Sequence, residues 1–219
     1  MTEKRCYKQY CGLAKALDIL GERWMLLIIR DLMIGPWRYS DLLERMHGMT
    51  TNLLAQRLKD LESHGLIKKT QLSSLGSPHV YELTDLGREL EPVILALGRF
   101  GRNFMKDGPQ TGDKIDPGRA LLALKWLYRG KAKGQVQICF IMADGQTIYY
   151  EIIFSNELVK LQYGENRQAP VRIELPMKIY AEIASAGSDA SKLEQQGKLT
   201  VEGDRKVWLT FLKSFGFTY

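Results

Sequence analysis

Thr50-Thr-Asn-Leu-Leu-Ala-Gln-Arg-Leu-Lys-Asp-Leu-Glu-Ser63 acquires two unlike sides when it is wound as a helix. Leu54, Leu58 and Leu61 fall on one stripe at the i, i+4, i+7 spacing of a buried face. Asn52, Gln56, Lys59 and Ser63 fall opposite, and such side chains hydrogen-bond base edges and phosphates. An ordinary surface helix has the same amphipathic form, so the neighbouring sequence decides between the two readings. Tyr39 to Met46 predicts a short helix with Leu42, Leu43 and Met46 on its apolar side, and Gly48 supplies a tight turn. Gly65 ends the second helix. Leu66 to Leu72 and His79 to Leu83 then read as two short strands joined by Ser-Ser-Leu-Gly-Ser-Pro. Helix, glycine turn, helix and hairpin in this order is the pattern of a winged helix-turn-helix, which points to DNA.

Working outward, Cys11 to Leu20 predicts a helix with Leu13, Ala14, Leu17 and Leu20 on its apolar side. Arg23 to Ile34 is apolar nearly all round, as the central helix of a small α domain should be, and Gly35-Pro36 stops it. After the hairpin, Thr84 and Asp85 cap a long helix whose stripe includes Leu86, Leu90, Val93, Ile94, Leu97, Phe100 and Phe104. Pro92 should kink or break that helix. So long a stripe at the end of a small domain suits a dimer seam, formed by Leu90, Val93, Leu97, Phe100 and Phe104 together with Leu13 and Leu17 of the first helix.

The chain of 219 residues has room for two domains, and residues 108–116, rich in turn formers, read as the linker between a domain over 1–107 and another over 117–219. The formal charge is +6. Residues up to Asp107 hold 16 basic and 13 acidic side chains and the remainder hold 15 and 12, so each half is +3 and global charge does not say which half meets a polyanion. No run of 18 apolar residues occurs and the first residues have no apolar signal core, so a cytoplasmic protein without membrane contact is expected. Three cysteines do not form a disulfide framework.

The second half has a different pattern. Arg119 to Arg129 predicts a helix, and Asp144-Gly145 joins strands Gln135–Met142 and Gln146–Phe154 as a hairpin. Glu157–Tyr163 and Val171–Leu175 follow as strands, then helices over 176–186 and 189–196, a strand over 198–202 and a last helix from Asp204. The expectation is an α+β chain: a winged helix-turn-helix followed by a smaller α+β domain with an antiparallel sheet and helices on one face.

The run from Cys11 through Leu20-Gly-Glu-Arg-Trp24 to Leu32 resembles the opening of the HxlR family of bacterial winged-helix regulators. Trp37-Arg38-Tyr39-Ser40-Asp41-Leu42, His47-Gly48-Met49-Thr50, Leu54 to Glu62, Gly65-Leu66-Ile67 and Tyr81 to Gly87 extend the resemblance over about residues 11–104. It implies a homodimer that binds double-stranded promoter DNA. The wing departs from the family, with Gly76-Ser77-Pro78-His79-Val80-Tyr81 in place of a Pro-Pro pair followed by Val-Glu-Tyr. Phe100 stands where the family often has Trp. The second half is similar to the SCP2-like sterol-carrier fold in Gly197-Lys-Leu-Thr-Val-Glu-Gly-Asp204 and the helix bearing Val207, Leu209, Phe211 and Leu212, with Asp189 ahead of it. That resemblance implies an apolar small molecule enclosed near Trp126, Phe140, Ile148, Tyr150, Ile152 and Phe154. A filled core with an architectural role fits the same pattern.

The DNA-contacting set is Arg38, Ser40, Thr50, Thr51, Asn52, Gln56, Arg57, Lys59, Lys68, Lys69, Ser77 and His79. Cys11 occupies the position where some HxlR-type regulators carry a thiol that senses oxidants or electrophiles, and Lys8 and Lys15 lie close to it in sequence. The three histidines lack ligand spacing with the cysteines, so no metal is expected. No phosphate loop or nucleophile elbow occurs, so no cofactor and no enzyme activity are expected. Three function classes remain: a regulator responsive to a ligand or to redox through Cys11, an apolar-ligand carrier whose helical domain serves dimerisation, and a DNA binder without an effector.

Overall fold

The computed structural model describes residues 6–71, 78–105, 112–113, 115–128, 130, 132–156, 158–186 and 188–219. The chain divides between Phe100 and Gly101 into two compact units, whereas the sequence pattern places the change at Asp107.

The first unit runs α1 (Gly12–Leu20), α2 (Met25–Leu32), α3 (Tyr39–Arg45), α4 (Thr51–Ser63), β1 (Ile67–Gln71), β2 (His79–Leu83), α5 (Asp85–Arg88) and α6 (Glu91–Gly101). Strands β1 and β2 are antiparallel, Ile67 opposite Leu83 and Lys69 opposite Tyr81. The core gathers Met25, Ile28, Ile29, Leu32, Ile34, Leu42, Leu54, Leu58 and Leu61, all at most 3% exposed. The helix expected from Thr84 onward is broken. α5 ends at Arg88, α6 begins at Glu91, and Pro92 occupies the first turn of α6, where its missing N–H costs nothing. Gly87 is required by close approach, since a Cβ there would lie 2.0 Å from the Leu66 carbonyl oxygen.

One ionic cluster lies within this apolar unit. The Asp31 carboxylate, 0% exposed, accepts from Arg30 Nε at 2.8 Å and from Arg45 Nε at 3.1 Å. The Trp37 indole donates to the Asp31 carbonyl at 2.9 Å, the Arg45 guanidinium lies 4.3 Å from the centre of the Trp37 ring, and Trp37 exchanges backbone bonds with Tyr81 of β2.

The second unit contains α7 (Pro117–Leu121), α8 (Leu124–Leu127), β3 (Gly134–Ile141), β4 (Thr147–Ser155), β5 (Leu158–Tyr163), β6 (Val171–Pro176), α9 (Met177–Ala186), α10 (Ala190–Gln195), β7 (Thr200–Gly203) and α11 (Arg205–Phe215). The helix expected over 119–129 is thus two short helices starting at Pro117. The hairpin turn matches its signal in modified form: Met142 N bonds Gln146 O, Gly145 N bonds Met142 O, and Gly145 takes φ +83°, a three-residue connection with glycine in the left-handed position.

The sheet order is β5-β4-β3-β6-β7, and here the expectation of an antiparallel sheet is corrected. β3 and β6 pair in parallel, Ile138 beside Ile173. The cause is the segment Gly164–Pro170, which carries the chain from the edge strand β5 past β4 and β3 to the far side. It packs on the sheet face bearing Gln137 (0% exposed) and Glu151 (8%). Asn166 satisfies both: its amide bonds Gln137 Oε1 at 2.5 Å and its side-chain nitrogen donates to Glu151 Oε1. On the other face Val136, Ile138, Phe140, Tyr150, Ile152 and Phe154 are buried. They meet α11, whose Phe211 and Phe215 rings lie 6.0 and 5.4 Å from Phe154.

Removing one partner of a buried ion pair leaves uncompensated charge in an apolar interior. Asp31→Ala should therefore cost about 3–5 kcal/mol in urea unfolding of the first unit, whereas Lys15→Ala, at an exposed pair with Asp18, should cost no more than about 1 kcal/mol. Equal small losses would show that the Asp31 cluster contributes nothing.

Candidate nucleic-acid interface

Helix α4 starts at a capped end. Thr50 is the N-cap, and its Oγ1 accepts from the Leu53 amide at 3.4 Å. The Tyr39 hydroxyl donates to the Thr51 carbonyl at 2.6 Å, which ties the start of α3 to the first turn of α4. Gly48, at φ +82°, makes the reversal between the two helices. With Leu54, Leu58 and Leu61 buried, Asn52, Gln56 and Lys59 are exposed on the opposite side, and Thr50 and Thr51 are exposed at the helix N-terminus. That end combines free amides with the positive pole of the helix, an arrangement that favours phosphate.

Arg38 and Ser40 are exposed at the start of α3. The Arg38 amide and the Ser40 hydroxyl both bond Asp41, at 3.3 and 3.1 Å. In the wing Lys68 pairs with Glu82 at 3.3 Å, Lys69 is exposed, and His79 is exposed at the start of β2. Ser77 lies outside the described residues.

Arg57 departs from expectation. Its Nη2 lies 2.8 Å from Glu22 Oε2 in the turn between α1 and α2, and its Nη1 lies 3.5 Å from Asp60 Oδ2; the side chain is only 16% exposed. The guanidinium is held by two carboxylates of its own chain, so a phosphate contact by Arg57 requires it to leave Glu22 and Asp60. Sequence reasoning missed Asp60, which also accepts from Gln56 Nε2 at 2.9 Å. The i, i+3 and i, i+4 spacings of 57/60 and 56/60 were the available signal.

Cys11 is exposed and occupies the N-cap position of α1. No capping hydrogen bond reaches its sulfur, yet the nearby backbone amides of Ala14 and, next, Leu13 hold the thiol below its ordinary pKa. The lysines named from the sequence are not among the causes, and Lys15 pairs with Asp18 at 3.6 Å. Cys139 is the contrast: buried, with burial the main cause of a pKa pushed up to about 11.

The stripe assigned to a dimer seam lies open on the single chain. Leu13 is 69% exposed, Leu97 49%, Phe100 63% and Phe104 77%. Leu17 and Val93 are exposed too, while Leu90 is half-buried. In the second unit, Phe140, Tyr150, Ile152 and Phe154 are at most 1% exposed; the Phe140 ring lies 6.4 Å from that of Tyr150 and the Phe154 ring 5.4 Å from that of Phe215. Ile148 and Trp126 are half-buried. A small space of about 20 Å³ lies among Ile138, Ile173, Tyr180, Leu199, Trp208 and Phe217. Leu199 also borders an open groove of about 390 Å³ that includes Glu174, Lys178, Glu182 and Lys198. Among the described residues, no group of three or more His, Cys, Asp or Glu could hold a metal ion, and no helix is long and apolar enough to cross a membrane.

The sequence that forms α2 to α6 and the wing matches known proteins. The family described as HxlR-like helix-turn-helix matches residues 19–109. An HTH-type transcriptional regulator of Synechocystis is 32% identical over 96 residues, which is 44% of this chain and 71% of that protein. The HTH-type transcriptional regulator YodB of Bacillus subtilis is 32% identical over 93 residues, 42% of this chain and 83% of its own length. A solved structure of reduced YodB aligns with 46% of this chain and 100% of its own at 30% identity, with a TM-score of 0.40. These relatives are transcriptional regulators, and the identity extends over more than two thirds of each. The chain belongs to the HxlR-like helix-turn-helix family.

Proposed function

We propose that this chain is a sequence-specific DNA-binding regulator that holds an inverted-repeat operator as a homodimer. The observation behind this reading is the polar, exposed face of α4, Asn52, Gln56 and Lys59, backed by a fully buried leucine stripe. Such a helix can enter a major groove while its other side stays in the core. Thr50, Thr51, Arg38, Ser40, Lys69 and His79 surround it as phosphate contacts. Lys68 joins them by exchanging Glu82 for a phosphate. Two copies joined through α1 and α6 would set their α4 helices about 34–36 Å apart, one turn of DNA.

Gln56→Ala should weaken binding to the operator by roughly 1–3 kcal/mol and binding to random DNA far less. Equal weakening on both, measured by fluorescence anisotropy, would remove Gln56 from the base-contacting set. Phe100→Asp, at a position exposed in the single chain, should leave the fold intact and turn a micromolar dimer into a monomer in sedimentation. A dimer unchanged by that charge would place the seam elsewhere.

A second reading, redox control through Cys11, is favoured by the amides that lower its thiol pKa. A lowered pKa keeps the thiolate populated further below the usual thiol range, so Cys11 should react with iodoacetamide near neutral pH. Cys139 should react only once the protein is unfolded. Mass spectrometry that finds Cys11 unmodified under those conditions, or Cys139 modified as fast, would remove this reading.

We read the second unit as SCP2-like, on its sheet with helices on one face and on the segment from Gly197 to Asp204. An apolar ligand, expected from the sequence near Trp126, Phe140, Ile148, Tyr150, Ile152 and Phe154, would also meet Trp208, whose buried indole N–H has no acceptor among the described residues. At about 20 Å³ the present space suits one water, so a larger apolar molecule requires α9 or α11 to move.

A further inference from the structure

The Gln56 amide has a partner on its own helix. Its Nε2 lies 2.9 Å from Oδ1 of Asp60, one turn further along α4. An ionised carboxylate only accepts hydrogen bonds, so Gln56 must direct an N–H at Asp60 and its Oε1 away from it. Asp60 is fixed in turn. Its Oδ2 lies 3.5 Å from Arg57 Nη1, and Arg57 is anchored at 2.8 Å to Glu22, outside the helix. A chain of four side chains thus runs from the turn before α2 to the amide on the exposed face of α4.

A carboxylate on a helix that approaches phosphates opposes binding, and a helix selected for affinity alone gains from a cation at that position. We propose that Asp60 is a positioning residue that holds the Gln56 amide in the orientation that reads adenine and rejects guanine. Adenine presents an N6 amine donor beside the N7 acceptor in the major groove, and guanine presents two acceptors, O6 and N7. With one N–H committed to Asp60, Gln56 retains Oε1 and one N–H, the complement of adenine. The turned amide, which would offer its NH₂ group to guanine, loses its bond to Asp60 and sets Oε1 against a carboxylate. The assignment rests on the reading of Gln56 as a base-contacting residue. A Gln–Asp pair that served only the helix would affect stability and leave base preference alone.

The test uses the full-length protein and operator duplexes carrying each of the four base pairs at the position where Gln56→Ala loses discrimination. The wild type should prefer adenine over guanine there by roughly 5- to 150-fold. Asp60→Ala releases the amide. Asp60→Asn keeps the shape of the side chain but can accept from or donate to Gln56, so both amide orientations become available. In both variants the ratio should fall toward one, chiefly by improved binding to guanine, with preferences at other positions unchanged. The ratio compares two DNAs with one protein preparation, so a reduced folded fraction cancels. An undiminished adenine preference in both variants, with Gln56→Ala still losing it, overturns the role of Asp60 and leaves Gln56 as a base reader. A Gln56→Ala protein without any position-specific loss overturns the reading of Gln56 itself, and a wild type that prefers guanine overturns the amide orientation.

Discussion

The ionised Asp31, with no exposed surface, is the constraint on which the geometry of the first unit depends. A charge taken fully out of water persists only where its lone pairs are met by fixed donors, and these come from separate elements: Arg30 from α2 itself and Arg45 from the end of α3. Trp37 adds a third connection, bonding the Asp31 carbonyl, stacking under Arg45 and pairing with Tyr81 of the wing. Apolar contacts alone tolerate sliding, whereas these directional bonds do not. The angle of α3 is thereby set, and Tyr39 passes it to the start of α4. Orientation of α4, the helix proposed to read DNA, is therefore decided by side chains outside its exposed face.

The first unit was legible because its helices bury one stripe each and its turns have distinctive residues. Leu54, Leu58 and Leu61 announced α4, and Gly48 announced the reversal before it. The Asp31 cluster was not legible, since Arg45 is fourteen positions away in sequence. For the same reason Arg57 read as a surface cation: Glu22, its partner, is thirty-five positions distant, and nothing local marks their meeting. The two departures share one cause, tertiary pairing of charges that lie far apart in sequence.

In the second unit the alternation of apolar residues placed the strands within a residue or two and identified the buried face. It could not give strand order, because periodicity reports which side of a strand is dry and not which strand lies beside it. Gln137 and Glu151 are the informative exceptions. Polar residues on a strand would ordinarily face solvent, yet here both are covered by a passing segment and bonded by Asn166. The rings of Phe140, Tyr150 and Phe154 suit a lined tunnel or a filled core equally well by pattern; in the structure they are buried among one another and Phe215 of α11.

That crossing segment also sets an order of assembly. β3, β4 and β5 follow one another through short connections and can pair as soon as they are made. The second edge of β3 stays unpaired until Val171 and its successors have crossed two strands, and α11, which covers the apolar face, comes later still. Contacts between distant parts of the chain form slowly because the intervening loop must first be closed. An incomplete second unit therefore presents an open strand edge beside a bare apolar face, the combination through which unfinished sheets join other chains. Gln137 and Glu151 on the opposite face keep that side wet until Asn166 arrives, which confines the hazard to one surface and to the interval before the crossing is complete.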